Sequence, residues 1–332
     1  MGRARGGARI ARGGMRIMTA HPTWAVVLAM NQVRMTRECL TSVSALDPGA
    51  ERIVLVDNGS TDGTAGAVRA EFPNVEVLRL EKNLYFAGGV NEGIRSALSR
   101  GAGSILLLNN DVVLERPALG KLRAALEADP ARAAVSPKIY YYDPPDMIWF
   151  AGGVVGRGLG LIRHRGANMK DEKLRDGPRA VDYVSGAAAL LSRDALEKVG
   201  LLDPSYVMYV EDVDWCARAR EQGRVLWYEA SAKVWHHVSA TSGGGLTPLK
   251  AYYRLRSGAL FLVRHATPWQ RALSWGSYLA WSGWLLLLSI TRRDFRSAGA
   301  LALGFADFTR ILFGAPPPLR TPESFAPPAG RR

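Results

Sequence analysis

The run Ile105-Leu106-Leu107-Leu108, closed at once by Asn109-Asn110-Asp111, constrains this chain more than any other stretch. An unbroken apolar run of this kind reads as a strand buried on both faces, as strands inside parallel sheets are. Its abrupt polar end puts two amides and a carboxylate at the carboxyl end of the strand, where open α/β sheets bind ligands. Asp111 can there offer a hard oxygen to Mg²⁺ or Mn²⁺, and the ion in turn can hold a diphosphate. Taken alone, a plain turn is the simpler reading, since Asn and Asp are common turn formers. The flanking sequence decides.

Three more apolar runs precede this one: Trp24–Met30, Ile53–Val56 and Val75–Leu80. Helical periodicity runs through Leu40 and Val43, a short helix is expected near Thr64–Ala70, and another reaches about Arg100. Strands alternating with helices predict βαβ units and a doubly wound, mostly parallel sheet. Asp57 closes the second strand as Asp111 closes the fourth, so both carboxylates should share one sheet edge. Asp57 suits a nucleobase or ribose contact and equally suits capping of the turn Asp57–Ser60. The stretch Asn83–Gly93 (NLYFAGGVNEG) puts small residues at a helix start, where backbone amides can approach a phosphate. Close helix packing explains those glycines almost as well. No Gly-x-Gly-x-x-Gly follows the first strand, which argues against a dinucleotide fold.

The formal charge of +13 invites a nucleic-acid reading, which its distribution excludes. Residues 1–20 carry five Arg and no acid, and residues 250–332 carry twelve basic residues against three acids; this leaves 26 basic and 27 acidic residues in 21–249. A nearly neutral body has no basic face to follow a phosphate backbone. Basic ends beside apolar segments suit an anionic membrane surface instead. The two cysteines, Cys39 and Cys216, have no metal-type or paired spacing and read as reduced core residues. The Arg-rich start before Trp24–Met30 mimics a signal peptide, but the apolar part is short and better used as the first strand.

Beyond Asp111 the pattern changes. Residues 140–180 suggest loops and a hairpin, and Val184–Leu191 a strand whose small residues leave room for something bulky. Tyr209–Trp215 (YVEDVDW) leads into a helix over Cys216–Gln222, with its acids at the positive dipole end that favours their ionised form. Trp235-His236-His237 ends another apolar stretch. Ala272–Thr291 is twenty residues without a charge, with Arg on both sides, and Ala298–Phe313 is a second apolar, helix-compatible stretch. The first approaches bilayer-spanning length, yet Ser and Gly dilute it. A pair of helices lying in the membrane interface is the reading preferred here. The expected division is a disordered basic segment (1–20), an α/β domain (21–249), an apolar helical extension (250–315) and a Pro-rich tail (316–332).

Taken together, the motifs resemble the family-2 inverting glycosyltransferases of GT-A fold, particularly their rhamnosyltransferase-like branch. The matching segments are Ile53–Thr64 (IVLVDNGSTDGT), Asn83–Gly93, Leu106–Val112 (LLLNNDV), Ser185–Leu191 (SGAAALL), Gly200–Asp203 (GLLD), Tyr209–Trp215 and Val234–His237 (VWHH), in family order. The resemblance implies a Rossmann-like nucleotide-binding half, an acceptor half, and a nucleotide diphosphate sugar as donor. It implies that Asp57 contacts the base or ribose and that Asn83, Gly88, Asn91, Asn109 and Asn110 line the donor site. Asp111 becomes the implied ligand of Mn²⁺ or Mg²⁺, His236 its second protein contact, and Asp212 the base, with Glu211 beside it. Asn109 stands where the family's first acid would, leaving less negative charge for the ion. The acceptor would be a glycan or lipid-linked hydroxyl, and the location the inner face of the cell membrane.

Single displacement at a sugar needs a base for the acceptor hydroxyl and stabilisation of a leaving diphosphate. It needs no enzymic nucleophile, and the sequence shows no Ser-His-Asp or Cys-His arrangement. A sugar nucleotidyltransferase would share the strand-end carboxylates but needs a Gly-rich, basic loop after the first strand, where Asn31-Gln32-Val33-Arg34 stands. A non-catalytic carbohydrate-binding scaffold would tolerate loss of Asp57, Asp111 and Asp212, all of which are present.

Overall fold

The computed structural model describes residues 22–156, 161–174, 176–238, 246–316, 318 and 320–325. The expected disordered start and most of the Pro-rich tail lie outside these residues. The first apolar run is β1 (Thr23–Ala29), and β2 (Arg52–Asp57), β3 (Val75–Arg79) and β4 (Ser104–Asn109) follow it, separated by α1 (Val33–Ser44), α2 (Thr64–Glu71) and α3 (Tyr85–Ser99). These strands are parallel in the order β3-β2-β1-β4. The chain therefore leaves β1 toward β2 on one side and returns to β4 on the other. Such a switch point opens a crevice at the carboxyl ends of the strands.

The second half extends the same sheet. It comprises β5 (Val112–Leu114), α4 (Ala118–Glu127), β6 (Arg132–Tyr141), β7 (Ile148–Phe150), a hairpin of β8 (Gly153–Gly156) and β9 (Leu161–His164), β10 (Arg179–Ala180), β11 (Ala188–Ser192), α5 (Arg193–Val199), α6 (Glu211–Glu221) and β12 (Val225–His236). Strand β11 runs antiparallel between β4 and β6, and β12 lies parallel to β6. The described residues thus form one ten-stranded sheet plus the two-stranded hairpin. Sequence reading placed no strand over β6, whose Pro137 and Lys138 interrupt its apolar pattern, and saw only the end of β12, which is bulged between Glu229 and Lys233. Helix α6 starts at Glu211, five residues before the expected Cys216, so the acids occupy its first turn.

Three α-helices follow among the described residues: α7 (Pro248–His265), α8 (Pro268–Thr291) and α9 (Phe295–Leu312). Thr267 and Gln270 form a capping box and Pro268 occupies the first turn, which fixes where α8 begins, four residues earlier than its uncharged stretch suggested. Helix α7 belongs to two cores. Its Leu260 and Phe261 join the main core of the sheet, while Tyr252, Tyr253 and Leu255 pack with Leu301, Phe308 and Ile311 of α9. No helix of the described residues is long and apolar enough to cross a membrane.

Candidate active site

Asp57 ends β2 with its carboxylate fully buried. Its Oδ1 accepts from the Ser60 N–H at 3.0 Å, so the turn-capping role exists, while Oδ2 has no hydrogen bond and lies 3.8 Å from Arg79 Nε. The next residue, Asn58, does the local building. Its amide donates to Asn83 Oδ1 (2.9 Å) and the Tyr85 carbonyl (3.0 Å) and accepts from the Leu84 N–H (2.8 Å). Asn83 is thereby fixed at the mouth of α3. Gly59, at φ +81°, lets this loop approach closely, since a Cβ there would lie 2.9 Å from the Asn83 nitrogen.

The glycines of α3 serve packing. A Cβ at Gly89 would meet Leu28, and one at Gly93 would meet Val26 and Val56, so these positions let α3 lie against β1 and β2. At Gly88 a Cβ would meet only Leu84 of the helix's own first turn. Asn91, expected among donor contacts, has a different task. It is buried, with its amide closed on the Leu202 backbone by bonds of 2.8 and 3.1 Å. Asn110 is likewise turned inward, donating to the Asn31 carbonyl and to Thr36 Oγ1. Both amides shape the site from behind. No motif logic separated such supports from ligand contacts, because the residue types are the same.

Asp111 and His236 are brought together by β5, which pairs antiparallel with β12 in the register His236↔Val112. Oδ1 of Asp111 lies 3.1 Å from His236 Nε2, both side chains being buried. Neither Asp111 Oδ1 nor His236 Nδ1 makes a hydrogen bond. His237 is held elsewhere, stacked on Tyr142 at 3.5 Å with Nε2 3.2 Å from Glu38. Two ligands bound to one ion at about 2.1 Å and roughly at right angles lie about 3 Å apart. The pair therefore fits a divalent ion, with an under-satisfied carboxylate oxygen available to it. Among the described residues no group of three or more His, Cys, Asp or Glu side chains surrounds a candidate metal position. The remaining ligands of a hard cation would come from phosphate and water.

Asp212 is held by backbone amides. Its Oδ2 accepts from the Gly186 N–H at 2.9 Å and Oδ1 from the Val213 N–H at 2.9 Å. Gly186 lies two residues before β11, and the intervening Ala187 accepts from the Asn109 N–H through its carbonyl, which places Asp212 next to the end of β4. A side chain at Gly186 would collide with Phe86 of α3. Phe86 is thus a bulky neighbour for which Gly186 leaves room. The helix-dipole expectation for Asp212 is reversed by burial, which raises its pKa above the ordinary carboxylate value. Glu211 is also pushed up, by burial first and by Asp212 second, and its Oε2 has no hydrogen bond. With two backbone amides on Asp212 and an unsatisfied oxygen on Glu211, Asp212 gives up its proton first.

The raised pKa of Glu211 carries a signed prediction. A folded-state carboxyl with an elevated pKa holds its proton more tightly than in the unfolded chain. It therefore costs nothing below the unfolded value near 4.5 and destabilises increasingly as pH rises through the folded value. Glu211→Gln should raise Tm in mildly alkaline buffer and leave it unchanged near pH 4, as differential scanning calorimetry would read. Equal Tm values at both pH values would mean that Glu211 is ionised in the folded protein.

Other residues at the site carried no sequence signal. Trp149 packs edge-on to His236 (4.7 Å) and to His164 (4.5 Å). Burial lowers the His164 pKa to about 4, against a counteracting bond to the Trp149 carbonyl, so it is neutral near pH 7. Asp214, the third acid of the motif, faces away from the cleft. Burial opposes its ionisation, but bonds from His265, Arg218 and Tyr206 outweigh that and hold its pKa at about 2.

Comparison with known proteins places this geometry. Residues 24–200 match the profile of Glycosyl transferase family 2. Among relatives, the N-acetylglucosaminyl-diphospho-decaprenol L-rhamnosyltransferase of Mycobacterium tuberculosis (strain CDC 1551 / Oshkosh) is 31% identical over 280 residues, covering 77% of this chain and 90% of its own. The dTDP-rhamnosyl transferase RfbF of Shigella flexneri is 24% identical over 230 residues, covering 65% of this chain and 72% of its own. A mannosyltransferase from Pyrobaculum calidifontis, solved with GDP-Man and Mn²⁺, superposes with a TM-score of 0.54 at 16% identity, covering 89% of this chain and 88% of that one. The chain belongs to glycosyl transferase family 2 and is a glycosyltransferase of GT-A fold, similar to the rhamnosyltransferases of that family.

Proposed function

We propose that the protein moves a sugar, with inversion, from a nucleotide diphosphate sugar (dTDP-rhamnose or a UDP-sugar) to a hydroxyl of a glycan or lipid-linked acceptor. The observation that carries this reading is the convergence of Asp57, the Asp111–His236 pair and the amide-held Asp212 at the carboxyl edge of one sheet. The names of the two rhamnosyltransferase relatives support a rhamnosyl donor and, for the mycobacterial one, an N-acetylglucosaminyl-diphospho-polyprenol acceptor.

In this mechanism Asp57 contacts the base or ribose, and Asn83, Gly88 and Asn109 line the donor site. Asp212 accepts the proton of the attacking hydroxyl as the new glycosidic bond forms and the bond to the diphosphate breaks. Glu211, keeping its own proton, leaves Asp212 as the ionised partner of the two. Asp111 and His236 would hold Mn²⁺ or Mg²⁺, which when bound neutralises the charge that develops on the leaving diphosphate. The test is product analysis across a panel of nucleotide diphosphate sugars with an N-acetylglucosaminyl-diphospho-polyprenol acceptor. Release of nucleoside diphosphate is expected. Release of pyrophosphate would instead mark a nucleotidyltransferase, and release of neither a binding scaffold.

Attachment to an anionic membrane surface belongs to the same proposal, and α8 supports it. Its outward face is apolar along its length: Trp269 is 74% exposed and Trp284 58%, with Leu273, Leu279, Leu287 and Ile290 between or beyond them. Arg292, Arg293 and Arg296 follow at its end. An apolar stripe with Trp and adjacent Arg suits the headgroup region. The protein should sediment with anionic vesicles, less at high salt because the charged contacts are screened. Absence from the vesicle pellet at low salt would refute the attachment.

A further inference from the structure

The segment that leads into Asp212 is bent in a way its own residues do not favour. Val207, Tyr209 and Val210 all have positive φ, at 65°, 65° and 72°, a region that β-branched side chains enter only under constraint. At Val207 (φ 65°, ψ −54°) the Met208 N–H donates to the Tyr206 carbonyl at 2.7 Å. A γ-turn of that hand is rare and strained. Val210 in turn caps α6, and its carbonyl accepts the Asp214 N–H at 2.8 Å. The direction of the first turn of α6, and with it Asp212, follows from how this bend is held.

Side chains of α7 hold it. Ser257 is fully buried, with Oγ 2.7 Å from the Met208 carbonyl and 3.2 Å from the Tyr206 carbonyl. Its single proton serves the nearer oxygen. The buried Arg256 donates through Nη1 to the carbonyls of Ser205 (3.0 Å) and Tyr206 (3.2 Å). Arg264 pairs with Asp203 at 2.6 Å and covers the Tyr206 ring, while the Tyr206 hydroxyl donates to Asp214 of α6 at 2.8 Å. The carbonyls of 205, 206 and 208 are thus all met from one helix that also packs on α9.

We infer that Ser257 and Arg256 are positioning residues for the transfer reaction: they hold the strained 206–210 bend so that Asp212 meets the acceptor hydroxyl. Helix α7 is then part of the catalytic apparatus. Strain retained at three of the four positions 207–210, all non-glycine and just before the base, is the kind that the surrounding structure maintains for function. The inference rests on the reading of Asp212 as base.

The test uses the full chain and the panel donor that supports turnover. Ser257→Ala should lower kcat about 10–100-fold, the loss typical of a small misplacement of a catalytic group, while donor KM stays within about two-fold. Val207→Gly can adopt the γ-turn without strain, so it should keep or raise Tm and still lower kcat. A residue that only supports the fold would lower Tm and activity together. In an Asp212→Asn background Ser257→Ala should cost nothing further, since both act at one step. Wild-type turnover by both Ser257→Ala and Val207→Gly, with Asp212→Asn inactive, overturns the clamp and leaves the base standing. An undiminished Ser257→Ala loss in the Asp212→Asn background also overturns it. Normal turnover by Asp212→Asn would overturn the base assignment and the clamp with it. Should Ser257→Ala fail to fold, the opposed Tm and kcat of Val207→Gly decide.

Discussion

Replacing Asp212 by Asn should lower kcat by about 10²–10⁴, the usual cost of losing a general base. The amide keeps nearly the same shape, though its single oxygen can accept from only one of the N–H groups of Gly186 and Val213, each of which now holds one carboxylate oxygen at 2.9 Å. It cannot take a proton at neutral pH. Donor binding, which this reading assigns to Asp57 and the Asp111–His236 pair, should change little, so KM for the nucleotide sugar should stay near the wild-type value. Burial gives a further signature. Because the pKa of Asp212 is raised above the ordinary carboxylate value, the acid limb of the kcat profile should fall above that range, with activity lost as pH drops through it. The control is Glu211→Gln, whose effect on kcat should be the milder of the two. Near-normal turnover by Asp212→Asn with an inactive Glu211→Gln would move the base one residue upstream.

Asp111→Asn should produce the second large effect, on metal-dependent nucleotide binding. The carboxylate oxygen 3.1 Å from His236 Nε2 has no hydrogen bond, so its replacement removes a ligand without breaking a bonded network. Loss of even an outer-shell partner typically costs about 10–100-fold in metal affinity, and loss of a ligand should cost at least that. Calorimetric titration of nucleoside diphosphate with Mn²⁺ would show the weakening, while Tm without metal stays close to wild type. Unchanged turnover of the wild-type protein in excess chelator would refute both the ion and its ligand.

The nucleotide-binding half was legible because its signals are local. Unbroken apolar runs ending in Asp57 and Asn109-Asn110-Asp111 specify buried parallel strands and one polar edge, and β1 to β4 lie where those runs are. The second half was legible only in part. Strand β12 alternates and bulges, and β6 carries Pro137 and Lys138, so neither shows the run that marks a central parallel strand. Its residues at the site are joined by partners far away in sequence. Gly186 reaches Asp212 across 26 residues, and Ser257 reaches Met208 across 49. Pairings of that length leave no periodicity.

The roles of polar residues were the other gap. Asn91 and Asn110 read like ligand contacts, and in the fold their amides are spent on the Leu202 backbone and on Asn31 with Thr36. Asp214 looked like one more acid at a helix start, yet it ties α6 to His265 of α7 at 2.9 Å. A carboxylate or amide announces itself in sequence, but whether it faces the cleft or the supporting shell is decided by packing.

The central claim is a single displacement in which Asp212 deprotonates the acceptor and no enzymic nucleophile intervenes. The most direct test is the anomeric configuration of the transferred sugar, read by proton NMR on the glycoside product, in which the new bond fixes it. A configuration opposite to that of the donor is the predicted result. Retention of the donor's configuration would require a second displacement and would contradict the mechanism.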